Sequence, residues 1–113
     1  MKILIPVIRD EGMDSKVNPH FGQSQTFALY DKGKKELQFF RNECAHAGGC
    51  MVVDEMLKHA PDMVYALDMG FKATEKFKMK DVKVKTGEFR TVKKVIENVE
   101  KLSDLTDTCI HQH

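Results

Sequence analysis

The sequence predicts an α/β domain built on a mixed five-stranded sheet, with an opening antiparallel hairpin and helices on both faces. Three observations predict it. Apolar stretches of strand length and stripes of helical period follow one another in the order β-β-β-α-β-α-β-α. The second and third stretches are joined by a short turn, Asp31-Lys32-Gly33-Lys34, where glycine is expected to supply a positive φ. The first stretch is almost continuously apolar, as befits a strand buried on both faces. A chain of 113 residues, 42% hydrophobic and 31% charged, is long enough for one such domain with a single core.

Residues 2–8 form the first strand, with Ile3, Leu4, Ile5, Val7 and Ile8 nearly unbroken. Residues 9–21 are a loop: Asp10-Glu11-Gly12 and Asp14-Ser15 have turn chemistry, and Asn18-Pro19 breaks any regular element. Residues 26–30 are the second strand and residues 36–41 its antiparallel return. A helix is expected over residues 51–60, where Val52, Val53, Met56, Leu57 and Ala60 make one stripe and Pro61 ends it. Residues 63–67 form a short apolar strand. Residues 71–79 form a helix with a thin stripe of Phe71, Thr74 and Phe77. Residues 82–85 alternate as an edge strand whose lysines guard the edge. Thr91 is the N-cap of a helix over residues 92–102, with Val92, Val95, Ile96, Val99 and Leu102 at helical spacing. Residues 103–113 show no core pattern and read as a tail, so the domain is expected over 1–102.

Charge and composition exclude several classes. A net charge of +1 argues against a nucleic-acid binder driven by bulk charge. No apolar run has the length of a membrane span, and the N-terminal run lacks a cleavage site, so a cytoplasmic protein off the membrane is expected. Residues 72–101 carry ten Lys/Arg against five Asp/Glu. That is either a solvated surface or a field for an acidic partner, in a cofactor-free interaction module.

Three cysteines are an odd number, and in a reducing compartment unpaired thiols serve metals or redox chemistry more often than structure. Two of them, Cys44 and Cys50, bracket His46, and Gly48-Gly49 loosens the stretch just before a helix. Thiolates and imidazole suit iron–sulfur centres and soft metals such as copper or zinc. The spacing is not the C-x-x-C of zinc sites or dithiol oxidoreductases. A thiol-redox pair, with Cys50 activated at a helix start and Cys44 resolving it, is the enzyme alternative. Burial of both as small apolar residues is the plain one. Gly48, Gly49 and Gly70 precede helices, where backbone N–H groups can cradle an anion or simply make a tight turn. In an extended tail Cys109, His111 and His113 would point the same way, a less favoured second soft-metal site.

The element order, with Asn18-Pro19-His20-Phe21-Gly22-Gln23-Ser24 leading into the second strand, resembles the dinitrogenase iron–molybdenum cofactor biosynthesis family. The resemblance also rests on residues 1–7, residues 27–31 with the hairpin, Gly48-Gly49, Asp68-Met69-Gly70 and Thr91-Val92-Lys93-Lys94-Val95, and it covers about residues 1–102. It implies a ribonuclease H-like motif fold and a small non-enzymatic carrier or scaffold for an iron–sulfur or molybdenum-containing cluster. It implies that His20 is a ligand, with Gly22 leaving room beside it and Phe21 in the core or over the site. It implies cluster donor or acceptor proteins as partners, for a monomer or weak homodimer. The family usually has more glycine than the single Gly70 after the fourth strand, and usually lacks the paired Cys44 and Cys50. A nuclease, which the fold would otherwise invite, needs carboxylates around two metals, and residues 2–8 carry none.

Overall fold

A computed structural model of the chain describes residues 1–42 and 52–105. The elements are β1 (Lys2–Val7), β2 (Thr26–Asp31), β3 (Glu36–Arg41), α1 (Val52–Leu57), β4 (Met63–Tyr65), α2 (Phe71–Met79), β5 (Lys83–Thr86), α3 (Val92–Glu97) and β6 (Ser103–Asp104). They build one mixed sheet in the order β3-β2-β1-β4-β5-β6. β1 pairs antiparallel with β2 and parallel with β4; β4 pairs parallel with β5. The first five strands thus have the order and directions of a ribonuclease H-like motif.

β1 is central because it can be. Ile3, Leu4, Ile5 and Val7 are all fully buried, and a strand with two dry faces needs cover on both. On one face Leu4, Phe27, Leu29, Val64 and Val84 meet Val53 and Met56 of α1 and Phe77 of α2. On the other, Ile3, Ile5, Val7, Ala28 and Tyr65 meet Val92 and Val95 of α3. Side chains alternate between the faces with the period of two that a strand imposes. α1 and α2 run side by side, with Lys76 bridging to Asp54 at 3.2 Å.

Several expectations are corrected. The sheet has six strands, not five: Ser103 and Asp104 pair with Thr86 and Lys85, and Leu105 behind them is 5% exposed in the core. β5 is therefore internal, and its lysines guard no edge. Lys85 Nζ instead bonds Asp104 Oδ1 at 2.6 Å, and this bond holds the Asp104 carboxyl below its ordinary range. In the β2–β3 turn the positive φ belongs to Lys35 (55°), not Gly33. Asp31 Oδ1 shapes that turn by accepting from the N–H groups of Gly33 and Lys34 at 3.0 and 3.2 Å.

α1 and α3 are shorter than their apolar stripes. α3 stops at Glu97 because Asn98 turns its side chain back, Nδ2 donating to the Lys94 carbonyl at 2.8 Å. A single 3₁₀ turn, Val99–Lys101, follows. The start of α3 matches the sequence reading: Thr91 Oγ1 accepts from Lys94 N at 3.3 Å. In α2, Thr74 and Phe77 are buried, whereas Phe71 is 53% exposed.

Candidate functional site

The His20 loop is held from both sides. Asn18 N donates to the Pro6 carbonyl at 2.8 Å, and Asn18 Oδ1 accepts from His20 N at 3.0 Å. That Asx turn carries the chain over Pro19 into a 3₁₀ turn, Phe21–Gln23, of which His20 is the N-cap. Phe21 is buried and pins the turn to the core. His20, one residue earlier, is left exposed. Its side chain caps nothing and makes no hydrogen bond or ion pair among the described residues.

Two further segments join this loop. Phe21 N donates to the Asp68 carbonyl at 3.3 Å, which fastens the loop to the turn between β4 and α2. Ser24, fully buried, lies 3.1 and 2.8 Å from the carbonyls of Val7 and Thr26 and shares its hydroxyl proton between them. Asn42 N donates to the Gln25 carbonyl at 2.8 Å, and Asn42 Nδ2 to the Ser24 carbonyl at 3.4 Å. The residue that leads toward Cys44 is thereby fixed beside the His20 loop. All three segments sit at the carboxyl ends of β1 and β4, the adjacent parallel strands from which the chain departs to opposite sides. Open α/β sheets bind ligands at that position.

Of the helices that begin at this end, α2 and α3 differ. At α3 the first amides are taken: Val92 N bonds the Ser15 carbonyl and Lys93 N the Met13 carbonyl, both at 2.9 Å. At α2 the N-cap is Gly70, with no side-chain cap. Its carbonyl accepts from Thr74 N and Oγ1, both at 3.0 Å. The N–H groups of Phe71, Lys72 and Ala73 have no acceptor among the described residues. Such amides favour an anion in front of them. Neither Gly22 nor Gly70 is required by crowding: a Cβ at either would meet nothing within 4 Å.

The remaining predicted site residues fall elsewhere. Cys44, His46, Gly48, Gly49 and Cys50 lie outside the described residues, as do Cys109, His111 and His113. Among the described residues no three His, Cys, Asp or Glu side chains gather closely enough to hold a metal ion. The carboxylates a nuclease would need are dispersed. Asp31 sits opposite Lys2 at the far end of β1, Asp54 is paired with Lys76 on the helical face, and Asp68, whose backbone carbonyl bonds Phe21 N, gathers with no other carboxylate in a metal-binding group among the described residues. Sequence reading gave no role to Asn42 or Ser24. Asn42 could have been suspected from its place at the head of the cysteine stretch. Ser24 could not, because the bond that ties it to the sheet goes to the Val7 carbonyl, 17 residues earlier in the chain.

This sheet, with its loops gathered at the carboxyl ends of two central parallel strands, defines a small α/β protein of the ribonuclease H-like class with an open loop site. Residues 1–102 match the family described as dinitrogenase iron-molybdenum cofactor, and the chain belongs to it. It is thus a small protein of the class associated with that cofactor. Among solved structures it is similar to a candidate NifB protein from Thermotoga, at 27% identity and a TM-score of 0.78 over 93% of each chain. It also shares its fold with the apo form of the orange protein from Desulfovibrio gigas, at 17% identity and a TM-score of 0.80 over 91% of each chain. A third neighbour is a candidate dinitrogenase from Methanocaldococcus jannaschii, at 19% identity and a TM-score of 0.70, covering 93% of this chain and 94% of the other. No curated protein matches the sequence.

Proposed function

We propose that this protein is a non-enzymatic carrier or scaffold for an iron–sulfur or molybdenum-containing cluster. The cluster is cargo, received from a donor protein and passed to an acceptor in the cytoplasm. His20, Cys44, His46 and Cys50 supply soft ligands, and the start of α2 at Gly70, with Gly48 and Gly49, faces the negative charge of the cluster. One observation carries the reading: the Phe21–Asp68 bond joins the His20 loop to the start of α2, while Asn42 brings the head of the cysteine segment to the same loop. An exposed imidazole, on a loop fastened to a helix start whose first amides have no acceptor among the described residues, suits a labile ligand set, which a carrier needs and a closed structural metal site avoids. The single domain expected over residues 1–102 takes in β6 and Leu105 as well, and the tail ligands Cys109, His111 and His113, as a secondary site, complete the proposal.

The test is elemental analysis and an optical spectrum on protein purified without air or an affinity tag, repeated after reconstitution with iron and sulfide. The expected result is bound metal with sulfide-to-metal charge-transfer bands. The Cys44→Ser/Cys50→Ser variant should lose both while keeping its circular dichroism spectrum. Wild-type protein that stays metal-free after reconstitution, or a double-serine variant that keeps its cluster, would overturn the assignment.

A further inference from the structure

The two most exposed large apolar side chains among the described residues lie on one helix. Met79 is 75% exposed and Phe71 is 53% exposed. Both face solvent from α2, about 12 Å apart along its axis. A surface helix ordinarily keeps polar side chains on that side, and the core needs neither of them, since Thr74 and Phe77 seat the helix. Beside Met79 a cleft of about 190 Å³ opens between α1 and α2, lined by Asp54, Leu57, Lys76, Met79 and Lys80. Its lining is mostly apolar, as leucine, methionine and the stems of lysines make it. A cavity of about 150 Å³ holds a benzene ring, so this cleft admits one side chain of leucine or phenylalanine size.

Cationic charge frames the cleft. Lys72, Lys76 and Lys80 form a row at i, i+4 and i+8 that ends on the C-cap of α2. At that spacing like charges repel and weaken a helix. Lys72 stands in the first turn, where the helix dipole disfavours a cation and no acidic side chain offsets it. Lys76 is paired with Asp54 at 3.2 Å, whereas Lys72 and Lys80 make no ion pair among the described residues. Local stability therefore does not account for the row. Lys93 and Lys94 belong to α3, on the opposite face of the sheet. The positive charge of residues 72–101 is thus divided between two faces, and the share on α2 surrounds an apolar cleft.

We propose that the outer face of α2 docks an acidic protein partner, one apolar side chain of which enters the cleft between Leu57 and Met79 while its carboxylates meet Lys72 and Lys80. Charge complementarity selects this occupant. The acids Asp54, Glu75 and Asp81, interspersed among the lysines, favour a protein surface, which offers both signs of charge, over a phosphate backbone or an anionic lipid, which offers one. The flexible thioether of Met79 suits a wall that has to fit an incoming side chain. The face begins where the Phe21–Asp68 bond fastens the start of α2 to the His20 loop, so a partner seated there lies next to the proposed cluster site. Identifying that partner as a cluster donor or acceptor rests on the carrier reading; the docking itself does not.

The probe is a synthetic helical peptide with a row of glutamates beside a row of leucines, titrated into the metal-free full chain at low salt and followed by amide NMR shifts. Saturable shifts should be confined to residues 54–57 and 71–80, and binding should weaken as salt rises. Met79→Ala, or alanine in place of the peptide's leucines, should weaken binding about ten-fold, as truncating a central apolar anchor does. Lys72→Glu/Lys80→Glu should weaken it by at least about ten-fold, and Lys93→Glu/Lys94→Glu by less than about two-fold. All five positions are exposed, so the variants should keep the fold, which circular dichroism checks; should one not fold, the alanine peptide on wild type makes the anchor comparison without a variant. No binding, shifts elsewhere, indifference to Met79, or equal loss with the two lysine pairs would overturn the proposal. So would tighter binding of phosphatidylglycerol vesicles or of a single-stranded RNA oligonucleotide to the same face. The chain is metal-free throughout, so protein that takes up no iron sinks the carrier reading while the peptide titration still decides the docking face.

Discussion

His20 and Phe21 are chain neighbours with opposite surroundings, one in solvent and the other in the core. The bond from Phe21 N to Asp68 lets the second present the first, so exposure at His20 is a product of burial at Phe21. The His20→Ala variant should therefore leave the unfolding free energy within about 0.5 kcal/mol of wild type, while its reconstituted iron is lost faster to a chelator. Unchanged iron loss would remove His20 from the ligand set. Tyr65 is the opposite kind of residue. Its hydroxyl donates to the Phe89 carbonyl at 2.7 Å and accepts from Phe89 N at 3.1 Å, from a fully buried side chain. Tyr65→Phe should cost about 1–2 kcal/mol in urea unfolding, because it strands both backbone groups. Burial is the main cause that pushes the Tyr65 phenol above its ordinary value of 10.0. A raised folded-state value means stability that is full below the unfolded value and falls as pH rises through the folded one. Wild type should thus lose stability above pH 10 more steeply than Tyr65→Phe. The motif around His20 was legible in the sequence because its residues are adjacent. The Tyr65 bond was not, because its partner is a backbone group 24 residues away.

At the scale of elements, what was legible depended on pattern length. β1, with its unbroken apolar run, and α2, between Gly70 and Lys80, were read at or within a residue of their observed ends. β6 was invisible. Two residues cannot show alternation, and Ser103 and Asp104 are both exposed. What makes them a strand is the Leu105 N bond to the Val84 carbonyl at 2.9 Å and the side chain of Leu105 beneath. Misreading β5 as an edge followed directly, since Lys83 and Lys85 look the same whether or not another strand lies beyond them. Leu105→Ala should accordingly destabilise by about 2–4 kcal/mol, as a buried leucine does. In a domain of this size, thermal melting should then fall by roughly 10 °C. A shift of under 1 °C would show that the sixth strand adds nothing to the core. α3 ended early for a reason that helical periodicity does not register: Asn98 satisfies the Lys94 carbonyl with its own side chain.

For the whole molecule, sequence and structure agree on a mixed sheet covered on both faces. They could agree because the cover follows from β1 being apolar on both sides. That α1 and α2 share one face while α3 takes the other depends on how the connections cross the sheet, and periodicity alone carries no such information. The placement of His20, Asn42 and Gly70 at one end was legible in outline, since each follows or precedes a strand of known direction. The link among them was not, because it consists of backbone bonds between segments distant in the chain. The strand order also has a consequence for how the protein is made. β1 is translated early and pairs on one side with β2, which follows soon after. Its other side belongs to β4, and the bond from Lys2 N to Asp62 spans 60 residues. A nascent chain bearing only β1, β2 and β3 therefore shows the ribosome exit and its attendant chaperones a three-stranded sheet with one long apolar edge. That edge stays open until Met63, Val64 and Tyr65 emerge, so the centre of the finished sheet is the last part of its N-terminal half to be covered.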